Sequence, residues 1–149
     1  MSHIVRSKSE IKNLSYAKAA AARLGLQVEE YAVPRYYYTG QGVYGREATT
    51  CDLVIKLPGK YDLGLKADGK GGYIYECDSE LLSGSFGLHD KGRQLLGDNA
   101  AKLMLTYNEI KTEDALMMAG ISFTKSVENG VTIYEAADPI ALGLVSGVS

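Results

Sequence analysis

The residues best suited to recognition lie in one stretch of this chain, RYYYTGQGVYGREATT, residues 35–50. It combines tyrosines and arginines with three glycines, at positions 40, 42 and 45, that are spaced as G-x-G-x-x-G. Aromatic rings stack on nucleotide bases, and arginine forms paired hydrogen bonds with oxyanions such as phosphates and carboxylates. The stretch is therefore a candidate phosphate cradle, a candidate stacking surface, or a hairpin loop between two strands.

The dinucleotide-binding interpretation of these glycines fails on its sequence context. A Rossmann fingerprint requires the glycines to open a helix whose N-terminus meets the pyrophosphate. Here the residues that follow, REATTCDLVIKL, are rich in Thr, Val and Ile and predict a strand. A protein kinase glycine loop does lie between strands, but the chain has neither an HRD-type catalytic loop nor a DFG motif. We therefore expect a hairpin loop, which is either a connector or a binding loop.

A binding loop at this place would use a defined set of side chains. Strand alternation puts Tyr36 and Tyr38 on one face and Tyr37 on the other, so the three rings cannot form a single stack. The lysines of the following hairpin would enlarge the positive patch, or they are simply the solvated side of an antiparallel sheet. The predicted ligand-binding or partner-binding residues are Arg35, Tyr36, Tyr38, Gly40, Gly42, Tyr44, Arg46, Lys66 and Lys70.

Groups of residues that could catalyse a reaction or bind a metal are scarce. The two histidines, His3 and His89, have no partner at a spacing that suggests a nucleophile and base pair. Glu76, Asp78 and Glu80 would share one face of a continuing strand and offer oxygen ligands to a divalent ion, but a charged strand end is the simpler interpretation. We expect no catalytic residue, no metal site and no cofactor.

Composition sets the broad class of the protein. A length of 149 residues with 46% hydrophobic and 23% charged positions is typical of one globular domain, and a net charge of −2 is far from the strongly basic balance of many nucleic-acid-binding proteins. Cys51 and Cys77 lie in strand-like runs and are expected to be buried free thiols. No apolar run is long enough to span a bilayer, and the start lacks the apolar centre of a signal peptide. The sequence predicts a cytoplasmic protein.

Hydrophobic periodicity predicts two helices and about seven strands. Asn13 is expected to cap the first helix, and Asp98 to cap a long helix over residues 99–119. Residues 79–97 lack a sustained period and predict loops with one short helical turn. Asn129 and Gly130, between two alternating runs, predict a tight hairpin.

Strands joined mostly by hairpins predict an α+β fold. We expect a two-layer sandwich in which a mainly antiparallel sheet carries two helices on one face, with a topology that is ferredoxin-like in part. A single domain is expected over residues 1–135. Residues 136–149 form an apolar C-terminal tail that is expected to dock on this domain or on a partner.

The chain resembles a family of short cyanobacterial, plastid and phage proteins. The likeness rests on the opening MSHIV, the segment KSEIKN, the helix end RLGL, the run VPRYYYTGQGVYGREATTCDLVIKLPGKYDLGL and the hairpin KSVENGVTIYE. The family is the plastid hypothetical reading frame family, domain of unknown function 1257. The resemblance covers about residues 1–135 and implies a small, non-enzymatic protein, encoded in some genomes near AAA+ ATPases. It brings no established catalytic residue.

Two functions follow as hypotheses. The first is a non-enzymatic binding or adaptor module that contacts a protein partner through its sheet face and its Gly/Tyr loop, because Tyr and Arg often dominate the energy of protein interfaces. The resemblance suggests an AAA+ ATPase as such a partner. The alternative is a binder of a nucleotide or of single-stranded nucleic acid through residues 35–46.

Overall fold

The computed structural model describes residues 4–36, 49–82 and 90–137 of the chain. The elements in chain order are β1 (Ile4–Lys8), α1 (Leu14–Arg23), β2 (Gln27–Ala32), β3 (Cys51–Lys56), β4 (Asp62–Ala67), β5 (Tyr73–Asp78), α2 (Ser79–Leu82), α3 (Lys91–Leu96), α4 (Ala101–Met118), β6 (Phe123–Glu128) and β7 (Val131–Ala136). The fold is α+β, as predicted. Two compact units divide the chain, residues 1–107 and residues 108–149. The single domain predicted over residues 1–135 stays a prediction.

The first unit contains a five-stranded antiparallel sheet with the strand order β1-β5-β4-β3-β2. Strands β2 to β5 form a meander, and β1 pairs beside β5, so that α1 connects the two edge strands of the sheet. One row of neighbours across the sheet pairs Val54 with Gly64, Gly64 with Glu76, and Glu76 with Arg6. A ferredoxin-like βαββαβ order is matched only at its start, because β2 to β5 follow one another without a second helix.

The core of the first unit lies against the central strands. Leu53, Ile55, Leu63 and Leu65 of β3 and β4 are fully buried. Helix α1 buries its small side chains Ala17, Ala20 and Ala21, and small side chains let a helix backbone approach its neighbours closely. The predicted cap of α1 is confirmed, since Asn13 Oδ1 accepts a hydrogen bond from the Tyr16 backbone N–H at 3.2 Å.

Residues 79–97 contain more helix than the sequence predicted. The described part forms two short helices, α2 and α3, where we expected loops with a single helical turn. Asp90 caps α3, because its Oδ2 accepts from the Arg93 backbone N–H at 3.0 Å. A 3-10 turn over Asp98–Ala100 then precedes α4, which begins two residues later than predicted. Helices this short carry too few residues for a periodic pattern to show in the sequence.

The second unit contains the later part of α4 and the hairpin of β6 and β7. The predicted Asn-Gly turn is confirmed: Asn129 has a φ of 52° and Gly130 a φ of 78°, the two left-handed positions that a tight hairpin turn requires. No helix within the described ranges is long and apolar enough to cross a membrane.

Candidate functional site

The structure describes only part of the predicted binding set. Arg35, Tyr36, Lys66 and Lys70 belong to the described residues. Tyr38, Gly40, Gly42, Tyr44 and Arg46 lie outside them, as do His3 and His89. The candidate site is therefore built from the residues on either side of residues 37–48.

The chain that leaves β2 alternates between exposed and buried side chains. Tyr31 and Val33 are exposed by 74% and 45%, and the Arg35 side chain is also exposed. Pro34 and Tyr36 between and after them are buried. We call the exposed set, Tyr31, Val33 and Arg35, the edge surface, because β2 is an edge strand of the sheet. The alternation predicted for Tyr36, Tyr37 and Tyr38 lies mostly outside the described residues; Tyr36 itself points inward and presents no exposed ring for stacking.

Arg35 is fixed by a buried carboxylate at the start of β4. Asp62 is fully buried, and its oxygens accept from the Arg35 backbone N–H, Nε and Nη2 at 2.9, 3.0 and 2.9 Å. The Arg35 guanidinium also donates to the carbonyl oxygens of Leu57, at 2.6 Å, and of Gly59, at 3.1 Å. Four donor interactions of this guanidinium are thereby made within the protein, so Arg35 serves as an anchor.

The charge of Asp62 is stabilised by its neighbours. Burial acts to raise the pKa of Asp62, but hydrogen bonds from Arg35, Leu57 and Lys56 outweigh it and hold the pKa below its ordinary value. Lys56 Nζ lies 3.1 Å from Asp62 Oδ2, so two cations share this one carboxylate. A paired and hydrogen-bonded carboxylate of this kind stays ionised although it is out of water.

A second buried carboxylate, Glu76 on β5, connects the two chain segments that flank residues 37–48. On one side, the Tyr36 hydroxyl donates to Glu76 Oε2 at 3.1 Å. On the other side, the Thr49 backbone N–H donates to Oε2 at 3.1 Å, and the Thr49 hydroxyl lies 2.7 Å from Oε1 and 2.9 Å from Oε2. Arg6 of β1 completes the set, with its Nε 2.7 Å from Oε1. We call this arrangement the Glu76 clasp.

The Glu76 clasp also determines the ionisation of the groups around it. Burial acts to raise the pKa of Glu76, but hydrogen bonds from Thr49 and Arg6 hold it below the ordinary value. Burial and the Glu76 charge together raise the pKa of Tyr36, and they raise the pKa of Cys51 to about 12. Tyr36 is therefore neutral at physiological pH and can donate to Glu76, while the Cys51 thiol is protonated and a poor nucleophile.

The two lysines of the predicted set differ in their surroundings. Lys66 is half-buried and donates from Nζ to the Thr49 hydroxyl oxygen at 2.7 Å, so it supports the Glu76 clasp. Lys70 is exposed in the turn between β4 and β5, where its backbone N–H donates to Asp68 Oδ1 at 2.6 Å. Lys66 thus contacts the Glu76 clasp, whereas Lys70 lies in an exposed turn between two strands.

Close packing fixes the middle of the site at Gly64. A Cβ atom at this position would lie 2.5 Å from Cys51 Sγ, 2.9 Å from the Glu76 carbonyl oxygen and 3.0 Å from Pro34 Cγ. The chain segment around Pro34 therefore covers the sheet directly above this glycine. Both cysteines are free and buried, as predicted.

The acidic run at the end of β5 is not the exposed strand end that the sequence predicted. Glu76, Asp78 and Glu80 are exposed by only 0%, 2% and 8%. Glu76 belongs to the clasp, and Asp78 Oδ1 accepts from the Glu80 backbone N–H at 3.1 Å. Across residues 4–36, 49–82 and 90–137, no three His, Cys, Asp or Glu side chains are grouped so that they could hold a metal ion.

The Glu76 clasp has a structural role. Its carboxylate accepts from five donor groups, the fifth being the Cys51 thiol at 3.8 Å, and has a lowered pKa, which makes it a weak base. Its thiol is protonated, and its threonine hydroxyl is already engaged by Glu76 and Lys66. The arrangement holds Tyr36 and Thr49, the residues that flank residues 37–48, against β5 and offers no activated nucleophile in the part of the chain that is described.

Sequence reasoning missed three members of this site. Tyr31 was assigned only to a strand, and Asp62 and Glu76 were not recognised as anchors. A signal for the anchors does exist, because each carboxylate interrupts a strand that is otherwise apolar or aromatic, in YDLGL and YIYEC. Carboxylates at such places are rarely buried without a partner, and the partner is an arginine in both cases.

No protein-family model matches the chain, and no curated protein or solved structure was found to be similar to it. The family resemblance drawn from its motifs therefore stays a prediction.

Proposed function

We propose that this chain is a non-enzymatic binding or adaptor module that contacts a protein partner through the edge surface and the adjoining residues 37–48 of the Gly/Tyr loop. The observation that carries the proposal is the exposure of Tyr31, on the edge strand β2, and of Val33, directly after the end of that strand. Tyrosine and arginine are enriched among the residues that dominate protein interfaces. This proposal places the contact at the sheet edge, whereas the sequence-based hypothesis placed it on the sheet face.

The backbone of Tyr31 supports this choice of surface. Its φ is 52°, in the left-handed region that side chains other than Gly, Asn and Asp rarely adopt. This conformation costs on the order of 1–2 kcal/mol, and strain of this kind clusters at functional sites. The exposed Tyr31 side chain does not offset this strain by packing in the core. We therefore infer that Tyr31 acts at the surface, in contact with a partner.

The fixed position of Arg35 adds to the same surface. Its guanidinium is bound to Asp62 and to two carbonyl oxygens, while 45% of its side chain remains exposed. When a partner packs on Arg35, the Arg35 side chain loses little conformational entropy, because it is already ordered before binding. Its donors are mostly occupied, which favours packing against a protein surface over a fork onto a phosphate.

A binder of nucleotides or single-stranded nucleic acid remains the alternative. It rests on Tyr38, Tyr44 and Arg46 in the sequence, because the two flanking residues, Arg35 and Tyr36, serve as anchors. Salt dependence separates the two functions: binding to several phosphates weakens about 10³-fold or more between about 50 and 200 mM salt, and a largely apolar protein contact does not.

The experiment compares two double variants as baits in extracts of the cell of origin. Tyr31→Ser with Val33→Ser alters the edge surface, and Val127→Ser with Val131→Ser alters a similarly exposed part of the β6 and β7 hairpin. Bound proteins are quantified by mass spectrometry, with and without nuclease and at two salt concentrations. An AAA+ ATPase is the first partner to look for. We expect the edge variant to lose a protein that the wild type and the hairpin variant retain.

Three outcomes would contradict the proposal. Retention of every bound protein by the edge variant removes the edge surface from consideration. Loss of the partner by both variants to the same extent points to a non-specific apolar contact. Sensitivity of the complex to nuclease, together with a steep salt dependence, supports the nucleic-acid alternative instead. Thermal unfolding of each variant is measured alongside to ensure that the loss is not caused by unfolding.

A further inference from the structure

The second unit has an open apolar groove along one side of α4. The groove has a volume of about 480 Å³ and is lined by Asn108, Lys111, Thr112, Ala115, Leu116, Ala119 and Ile121. Residues 108, 112, 115 and 119 recur at the spacing of one helix face. The small side chains Ala115 and Ala119 leave the helix backbone approachable, while Leu116 and Ile121 provide apolar walls. The polar residues lie at the end farthest from Gly120.

The contact of α4 with the hairpin lies on a neighbouring face of the helix and is largely polar. Tyr134 donates from its hydroxyl to Glu113 at 2.7 Å, and Lys125 lies 3.1 Å from Glu113 and 3.5 Å from Glu109. The Thr132 hydroxyl also donates to Glu109. These contacts position the hairpin on the helix, but they leave the apolar groove uncovered.

The described residues of this unit form no buried core. Between residues 108 and 137 every side chain is exposed or half-buried. Met117, Met118 and Val127 are exposed by 69%, 80% and 64%. A two-stranded hairpin is only marginally stable by itself, and folded units gain most of their stability from burying apolar surface. An apolar segment that covered this surface would therefore stabilise the unit.

The segment that follows β7 begins beside this groove. The Ala137 backbone N–H donates to the Ser122 carbonyl oxygen at 2.9 Å, and Ser122 is the neighbour of the groove residue Ile121. Residues 138–149, DPIALGLVSGVS, carry five large aliphatic side chains and only one charged residue, Asp138. Along the helix, the groove from residue 119 to residue 108 is about 16 Å long at 1.5 Å per residue. Five extended residues span about the same length.

We propose that residues 138–149 bind in this groove of their own chain, with the aliphatic residues Ile140 and Leu142 against Leu116 and Ala115. The geometry favours this occupant because its attachment point lies at the apolar end of the groove. The matching apolar character of the segment and the absence of a core in the described part of the unit support the same assignment. The bound segment would supply the buried surface that the helix and hairpin lack.

The test uses paired cysteines in the full chain. Leu116→Cys is combined with Leu142→Cys, and the control pair combines Val127→Cys, on the far end of the hairpin, with Leu142→Cys. The native cysteines are buried, so a short thiol-specific crosslinker reacts with the introduced pair. We expect an intramolecular crosslink with Leu116→Cys as the main product at any protein concentration, and little product with the control pair.

Other outcomes overturn the proposal. Equal yields from the two pairs show that the segment has no preferred place on the groove. A crosslink that joins two chains and fades on dilution shows that a second copy fills the groove. As an independent measurement, hydrogen exchange in residues 108–119 should quicken by about tenfold or more when residues 138–149 are removed, with β3 to β5 unchanged. Adding the peptide DPIALGLVSGVS should reverse that change, and failure to do so contradicts direct binding.

Discussion

Replacing Glu76 by glutamine tests the clasp with the smallest possible change of shape. The carboxylate accepts from five donor groups: Arg6 Nε, the Tyr36 hydroxyl, the backbone N–H and hydroxyl of Thr49, and, at 3.8 Å, the Cys51 thiol. A glutamine keeps one oxygen and replaces the other by an NH₂ group. Hydroxyls can turn to accept from this NH₂, but Arg6 Nε and the Thr49 N–H cannot. At least one of these two fixed donors therefore loses its acceptor.

The magnitude follows from burial. A buried donor without an acceptor costs about 1–3 kcal/mol. The lost attraction to Arg6 adds less than about 1 kcal/mol, because 44% of the Arg6 side chain is exposed and water screens its charge. We expect Glu76→Gln to lower the free energy of unfolding by about 2–3 kcal/mol at pH 7. For a chain of this length, about 3 °C per kcal/mol makes the loss in Tm about 6–9 °C.

The assay is urea unfolding followed by circular dichroism, with calorimetry for Tm. Glu30→Gln is the matched control, since Glu30 is a half-exposed strand residue paired with Lys18 at the surface. The control should change the free energy of unfolding by no more than about 0.5 kcal/mol. A loss of similar small size in Glu76→Gln would refute the reasoning that the clasp contributes to the fold.

Three further predictions concern the first unit, residues 1–107. Gly64→Ala should destabilise the fold by about 1–3 kcal/mol, because the added Cβ would lie too close to Cys51 Sγ. Adding Cys51→Ala should recover part of that loss, measured by urea unfolding. The absence of any recovery would contradict this explanation by close packing. Tyr107→Phe should cost about 1–3 kcal/mol, since the Tyr107 hydroxyl accepts from two backbone N–H groups before α1, at 3.0 and 3.1 Å; an unchanged urea midpoint would be the contrary result. The folded-state pKa values of Glu76 and Asp62 lie below their ordinary values of 4.5 and 3.8. As the pH is lowered, the unfolded chain therefore binds protons before the folded chain does. The urea concentration at the unfolding midpoint should decrease as the pH falls below about 5. That decrease should be shallower in Glu76→Gln.

Much of the fold was predictable because its signals are local. The Asn13 cap, the Asn-Gly hairpin and the strands β3 to β5 each depend on residues close together in the sequence. The strand order was not predictable in the same way. The pairing of β1 with β5 joins residues about seventy positions apart, and nothing in either strand alone specifies that partner.

The sequence singled out the chain around residue 35 as a candidate binding segment and predicted that Tyr36 and Tyr38 share one face and Tyr37 the other. Of these three, Tyr36 alone belongs to the described residues. Which set of alternate residues faces outward depends on the cover that Pro34 forms over Gly64, a tertiary contact that leaves no pattern in the sequence. Tyr36 was therefore assigned to the surface, and Tyr31 was overlooked. The burial of Glu76 likewise depends on partners from β1 and from both sides of residues 37–48.

The measurement that tests the proposed function most directly is photo-crosslinking from the edge surface in living cells. A photoreactive phenylalanine analogue replaces Val33, which is exposed and takes part in neither carboxylate anchor, and a second strain carries the analogue at Val127. The account predicts a crosslink from position 33 to one protein partner, absent from position 127. Crosslinks to nucleic acid from position 33, or none that differ from those of position 127, would contradict it.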